Sequence, residues 1–156
     1  MILISHRGNT QGKIPEHENH PDYVMDAISL GYDCEVDVRF ESGQWVLGHD
    51  EGSYVVKEDW LWNEKLWVHC KNYSAVEKLV KMKNLSYYPV PCNWFWHEND
   101  VMTLTSKGWI WTYPNKTINS VFAITVLPEI PNWDLKDVMR RGFGGVCSDF
   151  IENYND

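Results

Sequence analysis

Carboxylates and histidines recur along this chain at spacings that can do chemistry. The densest run is Asp33 to Asp50, DCEVDVRFESGQWVLGHD. Its first half alternates, so a strand there puts Glu35, Asp37 and Arg39 on one face and Cys34, Val36 and Val38 on the other. Ser42-Gly43 is a turn signal, and Trp45 to Leu47 returns as a short strand leading to His49-Asp50. Such a hairpin can bring His49 back beside the two carboxylates. Two like charges on a largely buried strand are costly unless a cation neutralises them, which points to a metal site. The competing reading of the same stretch is a half-exposed acidic strand at a sheet edge.

Periodicity gives the elements that must carry these residues. Ile2 to Ile4 form an apolar strand ending at His6-Arg7-Gly8. Asn9 to Pro21 is a polar loop containing Glu18-Asn19, with His17 and His20 as solvent residues. Pro21 to Leu30 reads as a helix with an apolar stripe, closed by Gly31. Glu51 to Lys65 is loop or short helix. Leu66 to Lys71 is the next strand, with His69 and Lys71 on one face. A helix capped by Ser74, with Glu77 three residues on, follows to Lys83. Two prolines between Tyr87 and Cys92 argue against a central strand there. Trp94 to His97 and Gly108 to Thr112 are strands, too close together for a crossover helix between them. Val121 to Leu127 reads as a buried strand. Asn132 caps a last helix with Leu135, Val138 and Met139 inward, and Gly144 to Asp149 closes as a strand.

Strand, helix and strand repeat with gaps, which implies an α/β fold with mainly parallel strands. Polar residues fall at or just after strand C-terminal ends: His6-Arg7, His69 and Lys71, His97-Glu98, Thr112 and Asp149. In a parallel α/β barrel that face builds the site. The chain has 156 residues, whereas an eightfold barrel takes about 250. A single domain over 1–156, a reduced or incomplete TIM-like barrel, is therefore expected.

Composition narrows the partners. A formal net charge of −8 argues against nucleic-acid phosphate as a partner, and no apolar run is long enough for stable membrane insertion. No signal-peptide pattern precedes the first strand, so cytoplasmic residence is the expectation. Cys34, Cys70, Cys92 and Cys147 are scattered without a CxxC pair and read as reduced core residues. The nine tryptophans are expected in the core or lining a pocket.

Taken in order, these residues resemble the glycerophosphodiester phosphodiesterase family, within the phospholipase-C-like phosphodiesterases. His6-Arg7-Gly8 is similar to its opening H-R-G, and Glu18-Asn19 to the E-N of P-E-N-T. Glu35-x-Asp37-Val38 followed by His49-Asp50 resembles its E-x-D-V and H-D. Lys71 matches the lysine of E-x-K, with His69 in place of the glutamate that is usually a third metal ligand. Trp111-Thr112 and Val146 to Asp149 resemble two later motifs, more loosely.

The resemblance implies a metal-dependent phosphodiesterase of lipid metabolism acting on a small-molecule phosphodiester, with one divalent cation on Glu35 and Asp37. Family resemblance suggests magnesium or calcium; an imidazole at position 69 suits manganese or zinc. His6 and His49 would be the acid/base pair, and Arg7 and Lys71 would bind the phosphate oxygens. His69 reads equally as a ligand or as an inward polar spacer, and Glu18 as a support for Arg7 or an ordinary loop acid. His97, Glu98 and Trp111 are candidate substrate contacts or supports, Trp111 with core packing as its other role. The alternative function is a catalytically silent phosphate- or headgroup-binding module that kept the pocket.

Overall fold

The computed structural model describes residues 1–85 and 90–155. The chain opens with β1 (Ile2–His6), α1 (Pro21–Ser29) and β2 (Asp33–Glu41). An antiparallel arm of β3 (Gln44–Leu47) and β4 (Tyr54–Val56) follows, then a 3-10 turn (Glu58–Leu61), β5 (Leu66–Cys70) and α2 (Tyr73–Leu85). The second half holds β6 (Asn93–Trp96), β7 (Met102–Leu104), β8 (Ile110–Thr112), β9 (Ala123–Val126), α3 (Leu135–Arg141), β10 (Gly145–Ser148) and a closing 3-10 turn (Ile151–Tyr154).

The parallel strands run β6-β5-β2-β1-β10-β9-β8, so chain order is followed around a curled sheet and the last strand lies against the first. β3 and β4 extend β2 antiparallel, and β7 lies antiparallel on β8. Between β6 and the β7–β8 hairpin, backbone contact passes through a loop, with Ser106 N donating to Trp94 O at 2.8 Å. The result is a mixed α/β fold on an incomplete, mostly parallel barrel. Helices return the chain only after β1, β5 and β9; elsewhere hairpins and a loop over 113–122 do so. That economy is how a wound sheet fits in 156 residues.

Alternation along each strand sorts the side chains. Outward, Val36, Val38, Leu66 and Val68 pack with Val24 of α1 and Leu79 of α2. Inward, Ile4, Trp67, Phe95, Trp111, Ile124 and Val126 fill the barrel. A third cluster seats Val138 of α3 against Ala123 and Val146. All four cysteines are buried thiols.

Several sequence expectations need correction. Asn72 caps α2: its Oδ1 accepts from Ala75 N at 3.0 Å and from Phe40 N at 3.2 Å, tying the helix start to β2, so Ser74 falls inside the helix. Asp134 caps α3 in a reciprocal box with Asp137, while Asn132 sits in a left-handed turn two residues earlier. α3 has seven residues and buries Val138, leaving Met139 exposed. β9 begins at Ala123, because β8 pairs only from that residue on, and Val121 and Phe122 face solvent. β4 and β7 escaped the sequence reading, since three-residue edge strands carry too little alternation to register. His20 caps α1, accepting from Asp22 N at 3.2 Å, and Trp62 stands 47% exposed on the surface. The expectation for Tyr87 to Pro89 lies outside the described residues; Pro91 and Cys92 lead into β6.

Candidate active site

Strand register assembles the site. β1, β2 and β5 are neighbours, with His6 level with Glu35 and Asp37 level with His69. Side chains level with one another share a face, so all four turn into the barrel mouth. One ligand atom from each of Glu35, Asp37 and His69 lies within 4.8 Å of the others. His69 Nδ1 is 3.5 Å from Glu35 Oε1 and 3.4 Å from Asp37 Oδ1. Its Nε2 is held at 3.0 Å by the carbonyl of His97, which fixes Nε2 as the donor and turns Nδ1 to the carboxylates.

The loop after β1 folds a cation over this pair. Arg7 has a left-handed backbone (φ 55°), and its Nε lies 2.8 Å from Asp37 Oδ2 as an ion pair, off the angle of a hydrogen bond. Glu18 accepts from Arg7 Nη1 at 3.0 Å and from Asn9 Nδ2 at 3.0 Å, so it orients the guanidinium. Asn19, also left-handed, grips Asp37 twice: its Nδ2 donates to Oδ2 at 3.0 Å and its Oδ1 accepts from the Asp37 amide at 2.9 Å. The turn needs Gly8, where φ is 94° and a Cβ would meet the Tyr23 ring at 2.5 Å. Lys71 Nζ stands 4.0 Å from Asp37 Oδ1.

His6 is set by the far end of the chain. Its Nδ1 lies 2.7 Å from Asp149 Oδ1, and its Nε2 lies 3.9 Å from Glu35 Oε2. Asn9 also donates to Asp149 at 2.8 Å, and Glu129 accepts from the Asp149 amide at 2.9 Å. Burial opposes charge on His6, but the Asp149 hydrogen bond and the Glu35 charge hold its pKa above the ordinary value. Burial likewise opposes the Asp149 carboxylate, which the His6 bond nevertheless keeps below its usual range. For Asp37, burial is outweighed by His69 and Arg7, and its pKa falls. For His69, burial is outweighed by Asp37 and Glu35, which lift it to about 9.

Two carboxylate oxygens remain without a hydrogen-bond partner: Glu35 Oε2 and Asp37 Oδ1, on side chains almost wholly buried. Unpaired buried carboxylate oxygens are expensive, and a cation between them removes that cost. One oxygen each from Glu35 and Asp37, with a nitrogen of His69, gives a mixed oxygen and nitrogen donor set that fits a divalent cation of the manganese or zinc kind.

A cavity of about 470 Å³ opens over the cluster. His6, Arg7, Glu35, His49, His69, Lys71, His97, Glu98 and Trp111 all line it, so every residue singled out in the sequence except Glu18 and Asp37 reaches its wall. Those two lie just behind Arg7. His49 differs from its expected place beside the carboxylates. Its side chain is 41% exposed, its Nδ1 pairs with Asp50 at 2.8 Å, and Arg39 holds its carbonyl at 2.9 Å. Trp111 stacks on Phe95 (4.6 Å between centroids) and serves the core as well as the cavity floor. Residue spacing alone does not single out Asn9, Lys13, Tyr113 or Glu129 as parts of the site. Asn9 is fully buried and bridges Glu18 and Asp149, a role with no local pattern because its partners lie 9 and 140 residues away.

The chain matches no protein-family model, no curated protein and no solved structure. Among the described residues, no helix is long and apolar enough to cross a membrane.

Proposed function

We propose that this protein is a metal-dependent phosphodiester hydrolase, cleaving glycerophosphodiesters or related headgroup phosphodiesters on a shortened TIM-like barrel. The observation that carries the reading is the convergence of Glu35, His69, His6, Arg7 and Lys71 on one cavity, with Asp37 within ligand distance of Glu35 and His69 just behind. Glu35, Asp37 and His69 would hold one divalent cation, which when bound supplies charge neutralisation at the phosphate. Arg7 and Lys71 would bind the non-bridging oxygens, with Glu18 anchoring the guanidinium through Nη1. His6, steered by Asp149 through Nδ1, offers Nε2 to the reacting oxygen; His49, steered by Asp50, offers the second proton-transfer group. A hydroxyl attacks phosphorus, the bond to the leaving alcohol breaks, and that alcohol departs with a proton from one imidazole while the other takes the proton of the nucleophile. The buried thiols accord with a cytoplasmic setting.

The exposure of His49 favours a second reading, a pocket that binds a phosphorylated headgroup without turnover. One experiment separates the two. Glycerophosphocholine and glycerophosphoethanolamine are incubated with the protein and magnesium, calcium, manganese, zinc or chelator, and phosphorus NMR follows the products. Metal-dependent conversion lost in His49→Ala supports the hydrolase. Metal binding without conversion of any ester supports the binding module.

A further inference from the structure

One wall of the cavity is unused by the chemistry above. It is formed by the end of β6 and the turn after β8, where Trp96, His97, Glu98 and Tyr113 meet. Trp96 and Tyr113 are 39% and 46% exposed, large aromatic faces left open at a cavity mouth. Trp96 is braced against Tyr73 (6.3 Å between ring centroids), and its Nε1 donates to Glu98 Oε1 at 3.1 Å, which holds that carboxylate at the rim. Tyr113 lies 5.6 Å from the His97 ring. His97 itself is nine-tenths buried, its Nδ1 2.8 Å from Asp100 Oδ2 and its Nε2 without a partner.

The wall therefore presents two aromatic side chains and a fixed carboxylate, with Asp100 behind. Among the described residues lining it between Trp96 and Pro114 there is no lysine or arginine. Arg7 and Lys71 are gathered instead over Asp37, at 2.8 and 4.0 Å. A phosphate would be repelled by Glu98 at this wall, and an uncharged group would forgo the attraction of that carboxylate. A cation suits both the carboxylate and the ring quadrupoles.

We propose that this wall is a subsite for the positively charged end of the substrate, so that the favoured diesters carry an amino or quaternary-ammonium alcohol. The inference rests on the hydrolase reading and names its substrate class. The anion is held at Arg7 and Lys71 and the cation at Trp96, Glu98 and Tyr113. A zwitterionic ester is thereby oriented end to end, with its phosphorus over the carboxylate pair.

The test compares glycerophosphocholine with its uncharged isostere, 3,3-dimethylbutyl glycerophosphate. The expected kcat/KM favours the charged ester by about tenfold in the wild type. Glu98→Gln and Tyr113→Leu each erase most of that preference by slowing the charged ester alone, with thermal melts unchanged. Equal rates for the two esters overturn the proposal and identify an apolar pocket, as does an equal loss on both esters in the variants. If no diester is turned over, the hydrolase reading fails, and saturation-transfer NMR with choline and 3,3-dimethylbutanol then tests the wall directly. Selective contact by choline that Glu98→Gln weakens sustains the subsite; indifference between the two alcohols overturns it.

Discussion

The two sides of the cavity are held by different physics. On the β1–β2–β5 side, charges are pinned by hydrogen bonds and an ion pair: Asp37 by bonds from Asn19 and by the Arg7 charge, Arg7 by Glu18, His6 by Asp149. On the β6–β8 side, rings are held by rings: Phe95 stacks on both His69 and Trp111, and Trp111 lies 5.8 Å from Trp67. The first arrangement leaves two buried carboxylate oxygens without a hydrogen bond, which a cation can relieve, while the bonds to the other polar atoms hold it in place. The second stores apolar area and tolerates shape change more readily than loss of volume. His69 belongs to both: it stacks on Phe95 and faces Glu35 and Asp37. On the proposed function, the acidic side would hold the metal and carry turnover, while the aromatic side carries stability.

The sharpest break of that contrast is Asp37→Ala. It removes a proposed ligand and the carboxylate beside Arg7 Nε, so turnover is expected to fall about a thousandfold, and urea melts to show a loss of about 3 kcal/mol. Phe95→Ala tests the other side. A cavity in the barrel interior costs about 3–5 kcal/mol in the same melts, with metal affinity measured by calorimetry changing far less than in the Asp37 variant. Comparable loss of metal affinity in both would show that the two sides do not act separately.

Glu35→Gln sharpens the comparison further. It removes a buried charge that faces His6 and His69, so the metal-free protein is expected to lose about 1 kcal/mol in melts while metal binding weakens about a hundredfold. Titration of His69 gives the next effect. Its pKa of about 9 in the metal-free site means that the ring is protonated below that pH, so the metal must displace a proton. Affinity is expected to rise about tenfold per pH unit up to that value and then level off, with proton release seen as a buffer-dependent calorimetric enthalpy. The stability contributed by the raised His69 pKa runs the opposite way, complete below about pH 6.5 and lost as the pH climbs through the folded value.

The smallest effect concerns the His6–Asp149 pair. His6, raised, contributes below about pH 6.5 and loses its contribution as pH rises through its folded pKa; Asp149, lowered, contributes above about pH 3.9 and loses it as pH falls. Their pairing is therefore strongest between those values. Asp149→Asn is expected to flatten the stability profile there by about 1 kcal/mol, read from melts across that range.

The sequence by itself determined the elements long enough to show a period, and through them most of the site. β2 alternates over nine residues, which placed Glu35 and Asp37 on one face, and the polar strand ends of β1 and β5 pointed to one barrel mouth. Local chemistry suffices for these because a strand's faces follow from spacing alone. Only the tertiary structure decided that His49 stays half-exposed on Asp50, that Asn72 and Asp134 start their helices, and that β7 patches the sheet beside β8. It alone joined Asn9 to Asp149 across 140 residues and brought Trp96, Glu98 and Tyr113 to one wall. Those arrangements depend on which strands become neighbours and in what register. Register is fixed by the packing of the whole barrel, and no stretch of sequence states it locally.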